Sequence, residues 1–219
     1  MLYEELKKQL NKALELKVPY IHPEEVEELG LESLLRSFQS KAGRPAGVLA
    51  LLVLPSDAAS WKDAELLLTM RSQKVEAHRG QLSFPGGAQE DSDTDLIETA
   101  LRETEEEVGI SPKMIEVLGQ LDSFNVFKSG FEVLPSVGVL KATKEEISFR
   151  ISRDEIDEVH WVSLSHLLDP SNYYKLYFEH EGAKYPVHHF KLEALEERLW
   201  GATAAMTMNL LDRLRAVLP

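Results

Sequence analysis

The sequence predicts an α/β fold, a sheet covered by helices on both faces. Three observations lead there. Short apolar runs of strand character alternate with helical stretches along the 219 residues. Two of them, 47–54 and 64–70, read as buried strands. After residue 40, no linker is long enough to split the chain.

Residues 1–40 read as helical. Leu2, Leu6, Leu10 and Leu14 recur every four residues, which draws one apolar stripe along a helix. Pro19 interrupts, and a second helix is expected over 24–38. KAGRP, residues 41–45, reads as a loop. The expected organisation is a helical N-terminal extension, 1–40, followed by one domain, 41–219. The leucine stripe suits packing on that domain or on a second copy, so a homodimer is one expectation.

Strands are expected at 47–54 (GVLALLVL) and 64–70 (AELLLTM). Residues 71–94 are rich in Gly, Pro and polar residues around Phe84-Pro85-Gly86-Gly87. A helix is expected over 95–108. Ser92, Asp93, Thr94 and Asp95 are all N-cap types, and Glu98 follows Asp95 by three. Gly109 suits the left-handed position after its end. Further strands are expected at 115–122, 131–140, 158–163 and 185–191, and a last helix at 201–217.

Composition excludes several classes. There is no cysteine, so disulfides, thiolate metal sites and cysteine nucleophiles are ruled out. The longest apolar run, residues 48–55, is far short of the ~18 residues of a membrane span. MLYEELKKQL lacks the pattern of a secretory signal, and a cytoplasmic location is expected, with no membrane partner. The net charge of −13 argues against nucleic-acid binding. An anionic small-molecule substrate would need bound cations or a local basic patch.

The chemistry concentrates in the helix expected at 95–108. At about 100° per residue, Ile97, Leu101, Thr104 and Val108 share a face turned to the core. Glu103, Glu106 and Glu107 gather on the neighbouring sector. Like charges one turn apart cost a helix a few tenths of a kcal/mol per pair. A hard divalent ion offsets this, and Mg²⁺ or Mn²⁺ suit carboxylate oxygens. Arg102 is placed to orient a carboxylate through a bidentate bond.

With its flanks, this stretch resembles the Nudix box. Gly87 opens the pattern, and Arg102-Glu103-Thr104-Glu105-Glu106-Glu107-Val108-Gly109-Ile110 closes it. Asp93 stands where the pattern has its first Glu, eight residues rather than seven follow it, and Thr104 fills an apolar position. Upstream, Leu67-Leu68-Thr69-Met70-Arg71-Ser72 and His78-Arg79-Gly80-Gln81-Leu82-Ser83-Phe84-Pro85-Gly86-Gly87 resemble the signature of coenzyme A pyrophosphatases, with Glu76 in place of an Arg. Leu199-Trp200-Gly201-Ala202-Thr203-Ala204 resembles a later segment of the same subfamily.

The resemblance implies an α/β/α sandwich with a mixed sheet and metal-dependent hydrolysis of the diphosphate of coenzyme A or acyl-CoA. It implies 3′,5′-ADP and 4′-phosphopantetheine, or the acyl form, as products. Glu103 and Glu107 are the expected principal ligands of Mg²⁺ or Mn²⁺, with Glu106 as ligand or base. Glu132, Asp154 and Glu155 are alternative bases. Arg102 and Glu103 join Glu106 in the expected catalytic set. Arg71, Ser72, Arg79, Gly86 and Gly87 are the expected substrate contacts. Other readings are a Nudix hydrolase for NADH, ADP-ribose or a nucleoside triphosphate, and a non-catalytic nucleotide binder. Phe84 and Trp200 are expected in the core rather than as ligand platforms. His188 and His189, adjacent on a strand, are expected on opposite faces.

Overall fold

The computed structural model describes residues 2–39, 43–75, 78–126, 129–180, 183–192 and 198–217. Three helices lead: α1 (Leu2–Glu15), α2 (Pro23–Leu29) and α3 (Glu32–Gln39). The single helix expected over 24–38 is broken at Gly30, whose φ of 63° is left-handed. Gly30 N–H donates to Glu27 O and Leu31 N–H to Val26 O, which closes α2 with the paired bonds of a Schellman motif.

Eight strands form one mixed sheet: β1 (Arg44–Val53), β2 (Glu65–Arg71), β3 (Leu82–Ser83), β4 (Gly86–Ala88), β5 (Ile115–Gln120), β6 (Phe124–Val126), β7 (Phe131–Leu140) and β8 (Ile156–Ser163). β1 and β7 run parallel and the other pairs antiparallel. β1 and β2 pair only at Leu52–Val53 and Glu65–Leu66. Beyond that point they diverge. β3 pairs the far end of β2, and β4 pairs the far end of β1. The split therefore holds the segment that carries Phe84, Pro85, Gly86 and Gly87.

Alternation along β1 builds the two cores. Leu49, Leu51 and Val53 face α4 (Leu96–Val108), while Ala46, Ala50 and Leu52 face the opposite layer. That second layer holds α1 and α6 (Gly201–Arg215). The result is the expected α/β/α sandwich. α1 contributes Leu6, Leu10 and Ala13 to the same core as α6. Full burial of a leucine contributes ~1.5–3 kcal/mol. Trp61 Nε1 donates to Leu6 O at 2.7 Å, and Asn209 Nδ2 to Val18 O at 2.6 Å. Leu6 and Leu10 of the stripe are thus buried within the chain itself, with Leu14 half-buried.

A short helix α5 (Leu164–Leu168) follows β8. A second sheet then stacks β9 (Tyr173–His180), β10 (Ala183–Phe190) and β11 (Leu199–Trp200) in the order β11-β10-β9. β9, β6 and the short β3, β4 and β11 lie outside the expected strands. No described helix is long and apolar enough to cross a membrane.

Candidate active site

The helix α4 is fixed at both ends. Asp95 caps it, accepting from Ile97 N–H at 2.9 Å and Glu98 N–H at 2.8 Å. Gly109, with φ 77°, ends it and donates to Glu105 O at 2.9 Å. Gly47 brings β1 against this helix, because a Cβ there would collide with Leu96 O. The buried residues are Thr99, Ala100, Thr104, Glu107 and Val108, while Ile97 and Leu101 are only half-buried. The centre of this buried face is rotated about 65° from the expected one, at 100° per residue. The small Ala100 against Gly47 permits the approach, and Thr104 Oγ1 satisfies itself on Ala100 O at 2.6 Å. The rotation carries Glu107 to the core margin, where it is 2 % exposed.

Three carboxylates converge. One oxygen each of Glu103, Glu107 and Glu155 lies within 4.8 Å of the others. Glu155 comes from the loop before β8. Arg150 N–H donates to Val108 O at 2.9 Å, and Ser152 N–H to Glu107 O at 2.9 Å. These bonds use carbonyls that the last turn of a helix leaves unpaired. Ser72 N–H holds Glu155 O at 2.7 Å from the other side. The acid is therefore delivered by backbone bonds to α4 and to the end of β2.

Burial pushes the Glu107 carboxyl up to about 8; Arg71 nearby and the Gly86 N–H oppose this, while Glu103 and Glu155 add to it. Burial also raises Glu103, against the pull of Arg102. The partners of Glu107 are weak: Gly86 N–H at 3.3 Å and Arg71 Nη1 at 4.0 Å. A buried carboxylate so thinly compensated, with two more acids beside it, fits a divalent cation with oxygen ligands. Gly87 completes the fit. A Cβ there would lie 2.5 Å from the Glu103 carboxylate carbon and Oε1, so only glycine leaves that carboxylate its place. Gly86 has φ 149° and brings its N–H onto Glu107.

Arg102 binds four residues together. Its Nε and Nη2 hold Asp93 in a fork at 2.9 and 3.0 Å. Nη1 reaches Glu103 at 3.0 Å and Glu106 at 2.9 Å, and Nη2 reaches Ala88 O at 3.3 Å. Asp93 also accepts from Thr99 Oγ1 and from Glu90 N–H. The Arg102 fork, first of these, holds its carboxyl far below the usual range. The residue that stands for the first Glu of the box thus anchors Arg102 and the loop before α4.

The structure brings Glu103, Glu107, Gly86, Gly87, Arg71 and Arg102 together. Glu106 lies apart from the trio, its side chain 57 % exposed and its Oε2 on Arg102. Ser72 is buried, its Oγ accepting from Lys74 N–H at 3.3 Å, so its contribution is to the frame. Arg79 is exposed and its Nε donates to Val75 O at 2.5 Å. Asp154 is paired with Lys74, and Glu132 is exposed on β7. Glu76 lies outside the described residues. Glu155 carries no spacing signal, because it stands 48 residues after Glu107; acids near that loop were its only trace in the sequence. His188 and His189 do face opposite sides of β10, with His188 on Tyr173 and His189 on Tyr174. Phe84 is buried as expected, but Trp200 is 38 % exposed.

Comparison with known proteins agrees with this geometry. The NUDIX domain family model matches residues 43–181. An uncharacterized Nudix hydrolase NudL of Pectobacterium atrosepticum is 38 % identical over 145 residues, covering 66 % of this chain and 72 % of that protein. The protein of the same name from Yersinia enterocolitica is 35 % identical over 174 residues, covering 80 % and 83 %. Among solved structures, a MutT/nudix family protein from Enterococcus faecalis aligns with a TM-score of 0.52 at 18 % identity, over 88 % of this chain and 74 % of that one, a likeness of fold. With the family model spanning more than half its length and the box residues gathered on α4, the chain belongs to the Nudix hydrolase family.

Proposed function

We propose that the chain hydrolyses the diphosphate linkage of coenzyme A or an acyl-CoA, releasing 3′,5′-ADP and 4′-phosphopantetheine or its acyl form. The observation that supports hydrolysis most is the convergence of Glu103, Glu107 and Glu155 beside Gly86, Gly87 and Arg71. The substrate choice rests on the resemblance over residues 67–87. In this reading the three carboxylates hold Mg²⁺ or Mn²⁺, which when bound neutralises diphosphate oxygens and makes water a better nucleophile.

The chain's own groups divide the remaining work. Arg71 is half-buried, its Nε has no partner among the described residues, and its Nη1 stands beside Glu107. It is placed to hold one phosphate oxygen. Arg79, exposed on the 72–81 loop, offers a second cation. Gly86 and Gly87 carry no side chain and let phosphate approach the backbone. Arg102 positions Glu103 and Glu106. Glu106 Oε1 makes no hydrogen bond among the described residues and is the proposed acceptor for the proton of the attacking water. Water adds to one phosphorus, the bridging P–O bond breaks, and both fragments leave as phosphate monoesters. A cation between acids and polyanion also reconciles the −13 charge with an anionic substrate.

The test is a panel of coenzyme A, acetyl-CoA, NADH, ADP-ribose and nucleoside triphosphates with Mg²⁺ or Mn²⁺, read by chromatography. Release of 3′,5′-ADP with the highest kcat/KM for coenzyme A or acetyl-CoA is the expected result. A higher kcat/KM for another substrate would reassign the specificity. Calorimetric titration of Mg²⁺ or Mn²⁺ in the absence of substrate reads the metal site separately. Glu103→Gln and Glu155→Gln should each weaken that binding.

A further inference from the structure

We propose that Trp200 is the platform on which the base of an adenine nucleotide substrate stacks. This rests on the reading that the acidic site takes a nucleotide diphosphate, and it names where the base goes.

Three planar side chains from adjacent strands form a ladder across the second sheet. Tyr174 of β9 and His189 of β10 lie 5.0 Å apart with 14° between their planes. His189 and Trp200 of β11 lie 6.0 Å apart with 8° between theirs. Strand register sets this up, because His189 pairs with Tyr174 on one side and Trp200 on the other. β11 is the edge strand, so the ladder ends at Trp200. That end is the exposed one.

His189 shows that stacking is what the position requires. It is 7 % exposed, and neither ring nitrogen has a hydrogen-bond partner among the described residues. Burying such groups unpaired costs ~1–3 kcal/mol each. A leucine would fill the space without that cost, but it would not offer a flat π-face to both neighbours. Burial, and secondarily Arg198, lowers the imidazole pKa, so the ring serves as a neutral spacer.

Two cations flank the ladder. Lys191 Nζ stands 6.0 Å from the Tyr174 ring centre, and Arg198 Nη1 donates to Tyr174 Oη at 3.0 Å. Both charges lie at the Tyr174 end of the ladder, two rungs from Trp200, so it is the flat exposed face of Trp200 that offers itself to a base. The platform is also near the acidic site. β11 lies against β3, and Ser83 precedes Gly86 by three residues, a reach of at most ~11 Å. Trp200 thus stands on the strand next to the segment that leads to Gly86–Gly87.

The test is calorimetric binding of AMP, 3′,5′-ADP and 4′-phosphopantetheine to the wild type, Trp200→Ala and Trp200→Phe, each checked for an unchanged far-UV spectrum and melting temperature. Trp200→Ala should weaken both adenine nucleotides about 5- to 100-fold, the range for loss of one base–aromatic stack. Trp200→Phe should stay within about threefold of wild type, and base-free 4′-phosphopantetheine should be affected by neither. The proposal is overturned if Trp200→Ala binds adenine nucleotides like wild type, if it weakens all three ligands equally, or if the wild type binds no adenine nucleotide. Adenine binding that depends on Trp200 in a protein that fails to cleave coenzyme A would retire the substrate assignment and leave the platform standing.

Discussion

Glu107→Gln should make the metal-free protein more stable while abolishing turnover. In the folded chain the Glu107 carboxyl ionises near 8 because it is buried; in the unfolded chain it does so near 4.5. Its folded pKa is the higher one. The stability it contributes is therefore complete below pH 4.5 and is lost as pH rises through 8. That gap, at ~1.4 kcal/mol per pH unit, amounts to about 5 kcal/mol by pH 9 and about 3 kcal/mol at pH 7. Glutamine has the same shape and keeps an acceptor for the Gly86 N–H, but it carries no charge to desolvate. Some of the gain is offset because Arg71 loses its anionic neighbour, so about 2–4 kcal/mol is expected at pH 8–9, or on the order of 5–10 °C in Tm for a chain of this size. Urea unfolding in EDTA at pH 5, 7 and 9 measures it, and the two proteins should converge at pH 5. Added Mg²⁺ should close most or all of the gap. A ligand at 100 times its Kd stabilises by ~2.7 kcal/mol, and only the wild type should gain this. The reasoning fails if the variant is less stable than wild type at pH 9 in EDTA, or if Mg²⁺ stabilises both alike.

Four further outcomes are expected. Gly87→Ala should leave stability within about 1 kcal/mol, because the clash is with the movable end of Glu103; metal affinity by calorimetry should fall tenfold or more, since that end must leave its place. Arg102→Lys keeps the charge but cannot fork Asp93 while reaching Glu103 and Glu106, and a kcat loss on the order of 10–100-fold with a lower Tm should follow. Leu10→Ala should cost about 2–5 kcal/mol in denaturant unfolding if α1 is integral to the core, as its complete burial requires. His188 is held neutral by burial, with its pKa lowered to about 4 from 6.5; its contribution is full above pH 6.5 and falls by about 3 kcal/mol as pH drops to 4, because the unfolded chain takes the proton first. His188→Gln should flatten that part of the acid limb in a stability–pH profile, with the metal-free Glu107→Gln protein as background.

Local rules made the strands around 47–54, 64–70 and 131–140 legible, along with α4 and both of its caps. Apolar runs, an N-cap aspartate and a C-terminal glycine act within a few residues and need no tertiary context. The same locality made Glu103 and Glu107 readable as a pair, since one helical turn puts them side by side. The break at Gly30 was open to the same reasoning, but the apolar pattern runs through it and hid the left-handed cap.

What the sequence by itself determined was the family pattern, the acidic helix and the sandwich class. Tertiary structure decided the rest. It rotated α4 through the contact of Gly47 with the helix, which buried Glu107 and raised its carboxyl. It delivered Glu155 by docking a distant loop on the free carbonyls of that helix. It wrapped Arg102 around Asp93, and it seated the first helix in the main core. It also left Trp200 exposed at a sheet edge. Each of these depends on which backbone groups and side chains meet across long sequence separations, and a periodic pattern in one segment does not encode its partner in another.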